Sequence, residues 1–302
     1  MESSGQAKLI LSCENRLGEE PIWHKKTQTL FWVDTINPGK IFAYHPHNEK
    51  MNSWEFDHPV LALAQHSNGA LLIAGPKTIR MWSPTTGIKT TYSTVETDMP
   101  DNRINCMAVD PLGYLWVATM QNNVTENGAP KDITGYFGSL YRISAQGVAE
   151  KIIGDYACPN TMLWSPDKKD FYFGDSGTGW MYKYACNLES GLVGKRNEFF
   201  RSEDNGIPDG SAIDAQGYLW NARWGGNCIL RISPAGELVQ KISTGARQPT
   251  CCVFGGKNLD TLYITSARFG MNDADISMDD GALYTYRPKT GGLDANYLKG
   301  EI

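Results

Sequence analysis

Hydrophobic and polar residues alternate along most of this chain in short segments, and the segments come in pairs joined by a polar turn. Alternation with a period of two is typical of half-buried β-strands. The pairs can be superimposed as six copies of one pattern: PIWHKKTQTLFWVD, LALAQHSNGALLIAG, CMAVDPLGYLWVAT, TMLWSPDKKDFYFGD, SAIDAQGYLWNAR and TCCVFGGKNLDTLYITS. Strand repeats spaced by about 40 to 55 residues, with no helical unit between them, predict an all-β, six-bladed β-propeller.

A propeller of this size fills the whole chain as a single domain, residues 1–302. Its blade repeats begin near residues 19, 61, 105, 160, 209 and 249. We expect Leu9–Cys13 to join the segment ALYTYRP in the last blade, so that the two ends close the ring and leave no free sheet edge.

Two segments depart from the repeat. Residues 120–138 insert a stretch rich in Asn, Gly, Pro and Thr into the third copy. Long connections of this kind are typical of lids over binding sites, so we expect the insertion to lie at the channel. Residues 269–280 are acidic and are expected to form a solvated loop that closes the last blade.

One position, equivalent in all six copies, holds candidate functional residues. Counting back about seven positions from each turn reaches an equivalent position in every copy. These positions lie on or beside Glu19, Leu61, Asn105, Asn160, Asp209 and Pro249. Because the innermost strands of a propeller line one central channel, the equivalent positions should form a ring around its axis. The alternative interpretation is that the Asn and Asp residues only cap turns before strands.

The ring offers oxygen ligands. A carboxylate pair with carboxamides suits a hard divalent cation that keeps some of its waters. Glu19 and Asp209 would together neutralise such a cation, whereas without it they would repel each other and one pKa would rise. The register therefore predicts one divalent cation, with calcium favoured and magnesium, manganese or zinc as alternatives. Such a cation would polarise a carbonyl, and Asp209 could take a proton from an attacking water.

Five segments carry a resemblance to a known family: LGEEPIWHKKTQTLFWVD, DNRINCMAVDPLGYLWVATM, PNTMLWSPDKKDFYFGDS, IPDGSAIDAQGYLWNARWGG and PTCCVFGGKNLDTLYITSAR. In this order they resemble the senescence-marker-protein/gluconolactonase/luciferin-regenerating-enzyme family of regucalcin-like sugar lactonases. The resemblance implies a six-bladed propeller with one divalent metal in its channel that hydrolyses sugar lactones. It implies that the metal ligands are Glu19, Asn160 and Asp209.

The same resemblance implies substrate-binding roles by position. Arg103 and Asn105 stand in a segment where the family usually reads RFND, and Asn123 stands where some members place a lid glutamate. Arg103 would hold sugar hydroxyls or stabilise charge, and Asn105 would bond the substrate or a water.

This chain also departs from the family pattern. Cys106 replaces a usual aspartate, while Glu20 and Thr161 replace usual glycines. We expect each departure to touch the substrate pocket. Arg223 is expected either to face the channel or to pack within a blade.

These observations predict a metal-dependent hydrolase that opens an aldonolactone to its aldonic acid. Asp209 would activate water, and the oxyanion would rest against the cation and Arg103. Two alternatives stay open: a phosphotriesterase-like hydrolase on the same metal site, and a calcium-binding propeller without catalysis. The polar set of Arg103, Asn105 and Asn123 favours a polyhydroxylated ligand over an apolar ester.

Composition excludes several partners. The net charge of −5 comes with scattered Lys and Arg residues, whereas a nucleic-acid partner would need clustered cations. The Met1–Gly5 start is polar and no apolar run could span a bilayer, which predicts no membrane partner. Seven cysteines without CxxC or CxxH spacing indicate a reducing compartment, so a cytoplasmic protein is expected. The expected partner is a small-molecule sugar lactone, and no oligomer is implied.

Overall fold

The computed structural model describes residues 4–300, apart from the side chains of residues 89 and 192, so the predicted domain ends at 1 and 302 lie outside the described residues. Within this range the chain is almost entirely β-strand, with one short 3-10 helix at Asp273–Asp275. No described helix is long and apolar enough to cross a membrane. In chain order the strands are β1 (Gly5–Gln6), β2 (Lys8–Leu11), β3 (Gly18–His24), β4 (Thr29–Asp34), β5 (Gly39–His45), β6 (Lys50–Phe56), β7 (Ala62–Gln65), β8 (Leu71–Ala74), β9 (Thr78–Ser83), β10 (Gly87–Thr94), β11 (Asn102–Val109), β12 (Leu115–Gln121), β13 (Gly138–Ile143), β14 (Ala149–Tyr156), β15 (Pro159–Trp164), β16 (Asp170–Asp175), β17 (Trp180–Asn187), β18 (Leu192–Val193), β19 (Asn197–Phe200), β20 (Ile207–Ile213), β21 (Leu219–Trp224), β22 (Cys228–Ile232), β23 (Leu238–Ser243), β24 (Pro249–Gly255), β25 (Thr261–Ser266) and β26 (Leu283–Tyr286).

These strands form six sheets, which confirms the six-bladed β-propeller predicted from the sequence. The innermost strands of blades 1 to 6 are β3, β7, β11, β15, β20 and β24. Each innermost strand packs beside the next one, and β24 packs beside β3, so the ring is closed. A closed ring places the starts of these strands around one channel.

The N-terminal stretch closes the ring as predicted. Strand β2 pairs antiparallel with β26, with Leu9 opposite Tyr284, and so becomes the outer strand of blade 6. Strand β1 makes a further pairing that the sequence pattern did not indicate, because it runs parallel to β23 at the edge of blade 5. One short segment therefore ties blades 5 and 6 together and covers both sheet edges.

Blades 3 and 5 share a buried polar arrangement that explains part of their repeat. Asp214 accepts a hydrogen bond from the indole N–H of Trp220 at 3.1 Å, and Asp110 makes the equivalent bond with Trp116 at 2.9 Å. Arg231 pairs with Asp214 at 3.0 Å. Because buried charges are tolerated only when paired and hydrogen-bonded, these residues hold the turn after each innermost strand in one conformation.

Residues 288–300, here called the strap, cross the end of the channel that carries the polar turns. Ala215 of blade 5 donates its amide to Gly291 at 2.9 Å, and Lys299 donates its amide to Gly113 of blade 3 at 3.1 Å. Leu298 is 1% exposed and packs into the core between blades 2 and 3. The strap thus joins blades that are far apart around the ring.

Replacing Leu298 by alanine should therefore destabilise the propeller. We expect a loss of about 2 to 5 kcal/mol in the free energy of unfolding, because a buried leucine is removed from a packed core. Urea denaturation measures the change. Leu293→Ala, in the same strap but at a side chain that is 38% exposed, is the control and should change stability by less than about 0.5 kcal/mol. Equal losses for both variants would contradict the anchoring role of Leu298.

The 269–280 loop forms the expected connection in blade 6, and its last residue is its anchor. Asp280 is 1% exposed and accepts hydrogen bonds from Arg247 at 2.9 Å and from the Ser277 hydroxyl at 3.0 Å. Burial alone would raise the pKa of Asp280, but the bonds from Arg247 and Ser277 outweigh it and lower that pKa to about 2. The folded state therefore favours the ionised carboxylate.

This shift predicts a pH-dependent contribution to stability. A carboxylate whose pKa falls from 3.8 to about 2 on folding stabilises the protein above pH 4, and the contribution is lost as the pH falls toward 2. Asp280→Asn should cost about 2 kcal/mol at pH 7 and little at pH 2. Denaturation curves at both pH values measure this, with the exposed Asp273→Asn as control. A cost independent of pH would show that the carboxylate charge is not responsible.

Candidate functional site

The predicted ring residues lie where the innermost strands bulge. The pairing register shifts between Glu19 and Ile22 in β3, between Ile104 and Cys106 in β11, and between Pro208 and Ser211 in β20. The remaining two shifts lie in β15, between Pro159 and Met162, and in β24, between Pro249 and Cys251. A bulge leaves a residue without a partner across the sheet and turns its side chain to a new direction. Asn105, Asn160 and Asp209 therefore have no partner across the sheet, whereas Glu19 pairs with Val33 directly before its bulge.

Blades 2 and 6 use the ring position differently. Leu61 lies just before β7 and is buried. In blade 6 the bulged residue is Thr250, the neighbour of the predicted Pro249, and its hydroxyl donates to the carbonyl of Gly18 in blade 1. Thr250 thereby holds the strand that carries Glu19.

Glu19 and Asp209 act on each other electrostatically. Burial raises the pKa of Glu19 to about 8, although the Glu20 amide and Arg103 partly oppose this. Burial raises the pKa of Asp209 well above its ordinary value, and the negative charge of Glu19 raises it further. The fold has thus brought buried carboxylates from blades 1 and 5 close enough to interact electrostatically.

The carboxamides of Asn105 and Asn160 meet beside these carboxylates. The Asn105 amide nitrogen lies 3.1 Å from Oδ1 of Asn160 and 2.6 Å from the carbonyl of Pro159. The Asn160 nitrogen in turn donates to Ser176 at 2.7 Å. With its nitrogen engaged by Ser176, the Asn160 amide is oriented so that its oxygen is directed to the Asn105 side.

Arg103 joins the ring to the insertion. Its guanidinium donates to Oδ1 of Asn105 and to Oδ1 of Asn123, each at 2.7 Å, and to the carbonyl of Ile104 at 2.9 Å. Its Nε is buried and has no hydrogen-bond partner in the described structure. Arg103 thus connects Asn105 and Asn123, the other two residues that the sequence assigns to substrate binding, while its own Nε–H makes no hydrogen bond.

The insertion folds over the end of the channel where the ring lies. Its residues 122–131, here called the lid segment, form a tight hairpin in which Val124 pairs with Pro130. Val124 packs against an apolar cluster of Leu17, Ile36 and Ala267 from blades 1 and 6, and Trp224 of blade 5 packs against the same cluster. The lid segment therefore reaches from blade 3 across the ring.

Two cavities lie along the channel. The outer cavity, of about 690 Å³, lies between the lid segment and blades 1 to 3, and Lys77 and Arg103 are among its lining residues. The inner cavity, of about 580 Å³, extends from Asn160 toward the strap. Glu19 and Asp209 line neither cavity.

The three departures from the family pattern all line the inner cavity. Glu20, Cys106 and Thr161 follow ring residues directly, and none of them borders the outer cavity beside Arg103. Glu20 has a positive φ of 48° and accepts a hydrogen bond from the Met107 amide at 3.3 Å. The inner cavity is also lined by Asn160, and the expectation that these residues touch the substrate pocket stays a prediction.

Supporting residues appear that sequence analysis did not assign. The Thr161 hydroxyl and the Asn221 amide donate to the Asp209 carbonyl at 2.7 and 2.8 Å. Arg223 is fully buried and donates to oxygen atoms within blade 5. No spacing signal could identify Asn221, because it lies on the second strand of its blade and not in the ring register.

The donor set suits a hard divalent cation. Within residues 4–300, no three His, Cys, Asp or Glu side chains are arranged to hold a metal ion, so a cation would also need a carboxamide oxygen. Asn160 supplies one beside the enclosed pair of Glu19 and Asp209. A cation between those carboxylates would remove the repulsion and compensate the cost of burying them.

Comparison with known proteins identifies the family. Residues 17–268 match the family model described as the SMP-30/Gluconolactonase/LRE-like region. The chain belongs to this family. The match covers all six innermost strands and every predicted ring residue.

Relatives and solved structures of the SMP-30/gluconolactonase family agree over nearly the whole chain. Regucalcin of Macaca fascicularis is 30% identical over 96% of this chain and 94% of its own length. Pentonolactonase XacC of Haloferax volcanii is 30% identical over 90% of this chain and 88% of its own. The crystal structure of regucalcin from Agrobacterium tumefaciens, described as a calcium-binding protein, superimposes with a TM-score of 0.89 at 26% identity, covering 98% and 99% of the two chains.

The bond between Arg103 and Asn123 should hold the lid segment in place. Asn123→Ala removes the acceptor of a charge-assisted hydrogen bond, so amide exchange in residues 124–131 should become about tenfold faster. Hydrogen exchange read by mass spectrometry measures this. The control is Glu126→Gln at the exposed tip of the same hairpin, which should leave exchange unchanged. Identical exchange in Asn123→Ala and the native protein would contradict a latch at this position.

Proposed function

We propose that this protein is a metal-dependent sugar lactonase that adds water to the carbonyl of an aldonolactone and releases the aldonic acid. The family, together with a relative named as a pentonolactonase, supports hydrolysis of sugar lactones. The single observation that carries the mechanism is the buried pair of Glu19 and Asp209, which interact electrostatically with each other and, at Glu19, with the charge of Arg103.

Glu19, Asn160 and Asp209 would hold the cation. Calcium is favoured, because the chain is similar to a regucalcin described as calcium-binding and all the ligands are oxygen atoms. Magnesium, manganese and zinc are the alternatives. A bound divalent cation supplies Lewis acidity to a carbonyl oxygen.

Asp209 is the proposed general base. One of its carboxylate oxygens accepts the Gly210 amide at 3.0 Å, which leaves the other to accept a proton from water. The Thr161 and Asn221 bonds to its backbone keep this carboxylate in place.

Arg103 is the proposed oxyanion and substrate contact. The residue lines the outer cavity, where its guanidinium would contact a ligand oxygen. Bonds to Asn105 and Asn123 hold the guanidinium rigid, and a fixed donor stabilises developing charge without reorganising. Asn105 and Asn123 would contribute the remaining polar contacts to sugar hydroxyls.

We further propose a cytoplasmic location and a small-molecule partner only. All seven cysteines are free thiols, which suits a reducing compartment.

Removing the cation or the base should stop turnover. Protein stripped with a chelator should release no acid from a panel of aldonolactones, and single added cations should restore the activity. Asp209→Asn should lower kcat by about 100- to 10,000-fold, because general-base catalysis contributes that much. Arg103→Ala should raise KM through the lost substrate contact and lower kcat through the lost stabilisation of the oxyanion. Acid release at constant pH measures all three.

Asp167→Asn, on the exposed surface, is the matched control and should behave as the native protein. Activity that survives exhaustive chelation would overturn the metal-dependent mechanism, and a native rate in Asp209→Asn would overturn the role of the base. Including a phosphotriester in the panel tests the rival hydrolase. Cation binding without hydrolysis of any substrate would favour the non-catalytic calcium-binding propeller.

A further inference from the structure

Arg223 lies directly beside the bulge that carries Asp209. It is fully buried on β21, where it pairs with Pro208 of β20. Asn221 pairs with Ser211 on the far side of the same bulge. Arg223 and Asn221 thus flank the irregular stretch from which the Asp209 carboxylate projects.

The guanidinium of Arg223 holds the turn that leads into β20. It donates to the carbonyl oxygens of Gly206 at 2.6 Å, Asn205 at 3.0 Å and Ser202 at 3.2 Å. A planar fork with several donors can hold three carbonyls at fixed angles, which neither an ammonium group nor an apolar side chain can do. The approach of the chain to Asp209 is therefore set by one side chain.

The third guanidinium nitrogen of Arg223, Nη1, fixes the orientation of the Asn221 amide. Nη1 donates to Oδ1 of Asn221 at 3.0 Å, so the Asn221 nitrogen must face the opposite way. That nitrogen donates to the carbonyl of Asp209 at 2.8 Å and to the hydroxyl of Ser211 at 2.9 Å. A reversed amide would place oxygen against the Asp209 carbonyl and lose both bonds.

We propose that Arg223 is a positioning residue for Asp209, acting through Asn221 and through the turn at residues 202–206. It holds the bulge of β20 in the one conformation that directs the carboxylate to the ring. This inference rests on the proposed function for the role of Asp209, but it also predicts an effect on cation binding that can be measured without any substrate.

The test compares three variants with the native protein. Arg223→Met removes both contacts, and Asn221→Ala removes only the relay and leaves the turn intact. Arg231→Met is the control, because it removes another buried arginine of the same blade that pairs with Asp214, away from the ring. The measurements are the Kd for Mn²⁺ added to chelator-stripped protein, kcat and KM for an aldonolactone, and thermal stability.

We expect Arg223→Met and Asn221→Ala to weaken Mn²⁺ binding about 10- to 100-fold, as loss of a ligand-orienting partner does. Their kcat should fall about 10- to 100-fold, because a displaced catalytic group costs that much. KM should stay within about threefold of the native value, since the outer cavity is untouched. Arg231→Met should lose thermal stability but keep native Mn²⁺ affinity and kcat.

Native Mn²⁺ affinity and kcat in Asn221→Ala would overturn the proposal, even if Arg223→Met does not fold. The same holds if Arg231→Met loses as much affinity and activity as Arg223→Met, because the effect would then follow stability alone. The native protein could also bind Mn²⁺ without opening any lactone. In that case weaker Mn²⁺ binding by both Arg223→Met and Asn221→Ala still supports the positioning role, and only the proposed function fails.

Discussion

Bulges at the starts of the innermost strands are the constraint on which the site depends. A regular strand would pair every backbone group across the sheet and direct its side chains into the blade interfaces. Carbonyls at the bulges of β15 and β20 accept hydrogen bonds from side chains of the neighbouring blades. Asn105 donates to Pro159 at 2.6 Å, and Thr161 donates to Asp209 at 2.7 Å. The geometry of the site therefore depends in part on the closed ring, because donors from neighbouring blades act together with donors from the same blade, such as Asn221 at Asp209.

The buried negative charges of Glu19 and Asp209 favour binding of a positively charged ligand at the ring. Burial disfavours the charged forms of Glu19 and Asp209, and their mutual repulsion adds to the cost. Arg103 opposes part of this at Glu19, but its own guanidinium hydrogen bonds go to neutral oxygens. Buried carboxylates are unfavourable in a folded protein unless they are paired, and the charges of Arg103 and Arg223 offset only part of this cost, so the two positions suit a divalent cation.

Different chain segments close the two ends of the channel. At the ring end, the lid segment crosses from blade 3 and packs against blades 1 and 6. At the other end, the strap is tied by backbone hydrogen bonds and by the buried Leu298. The lid segment is held by a small apolar cluster, by the Arg103 guanidinium and by bonds of Asn122 and Lys131 to Asp101, whereas the strap inserts a side chain into a main core cluster. This difference suits an entrance at the ring end and a permanent closure at the strap end.

The sequence by itself determined the repeat, the number of blades, the closure by β2 and the register of Glu19, Asn105, Asn160 and Asp209. These follow from local patterns that each copy carries, and counting along a repeat needs no knowledge of distant contacts. Only the tertiary structure decided that Glu20, Cys106 and Thr161 line the inner cavity, and that Asn221 and Arg223 support Asp209. The physical reason is that a bulge changes the direction of each following side chain. Contacts between blades also join residues whose separation in the sequence carries no periodic signal.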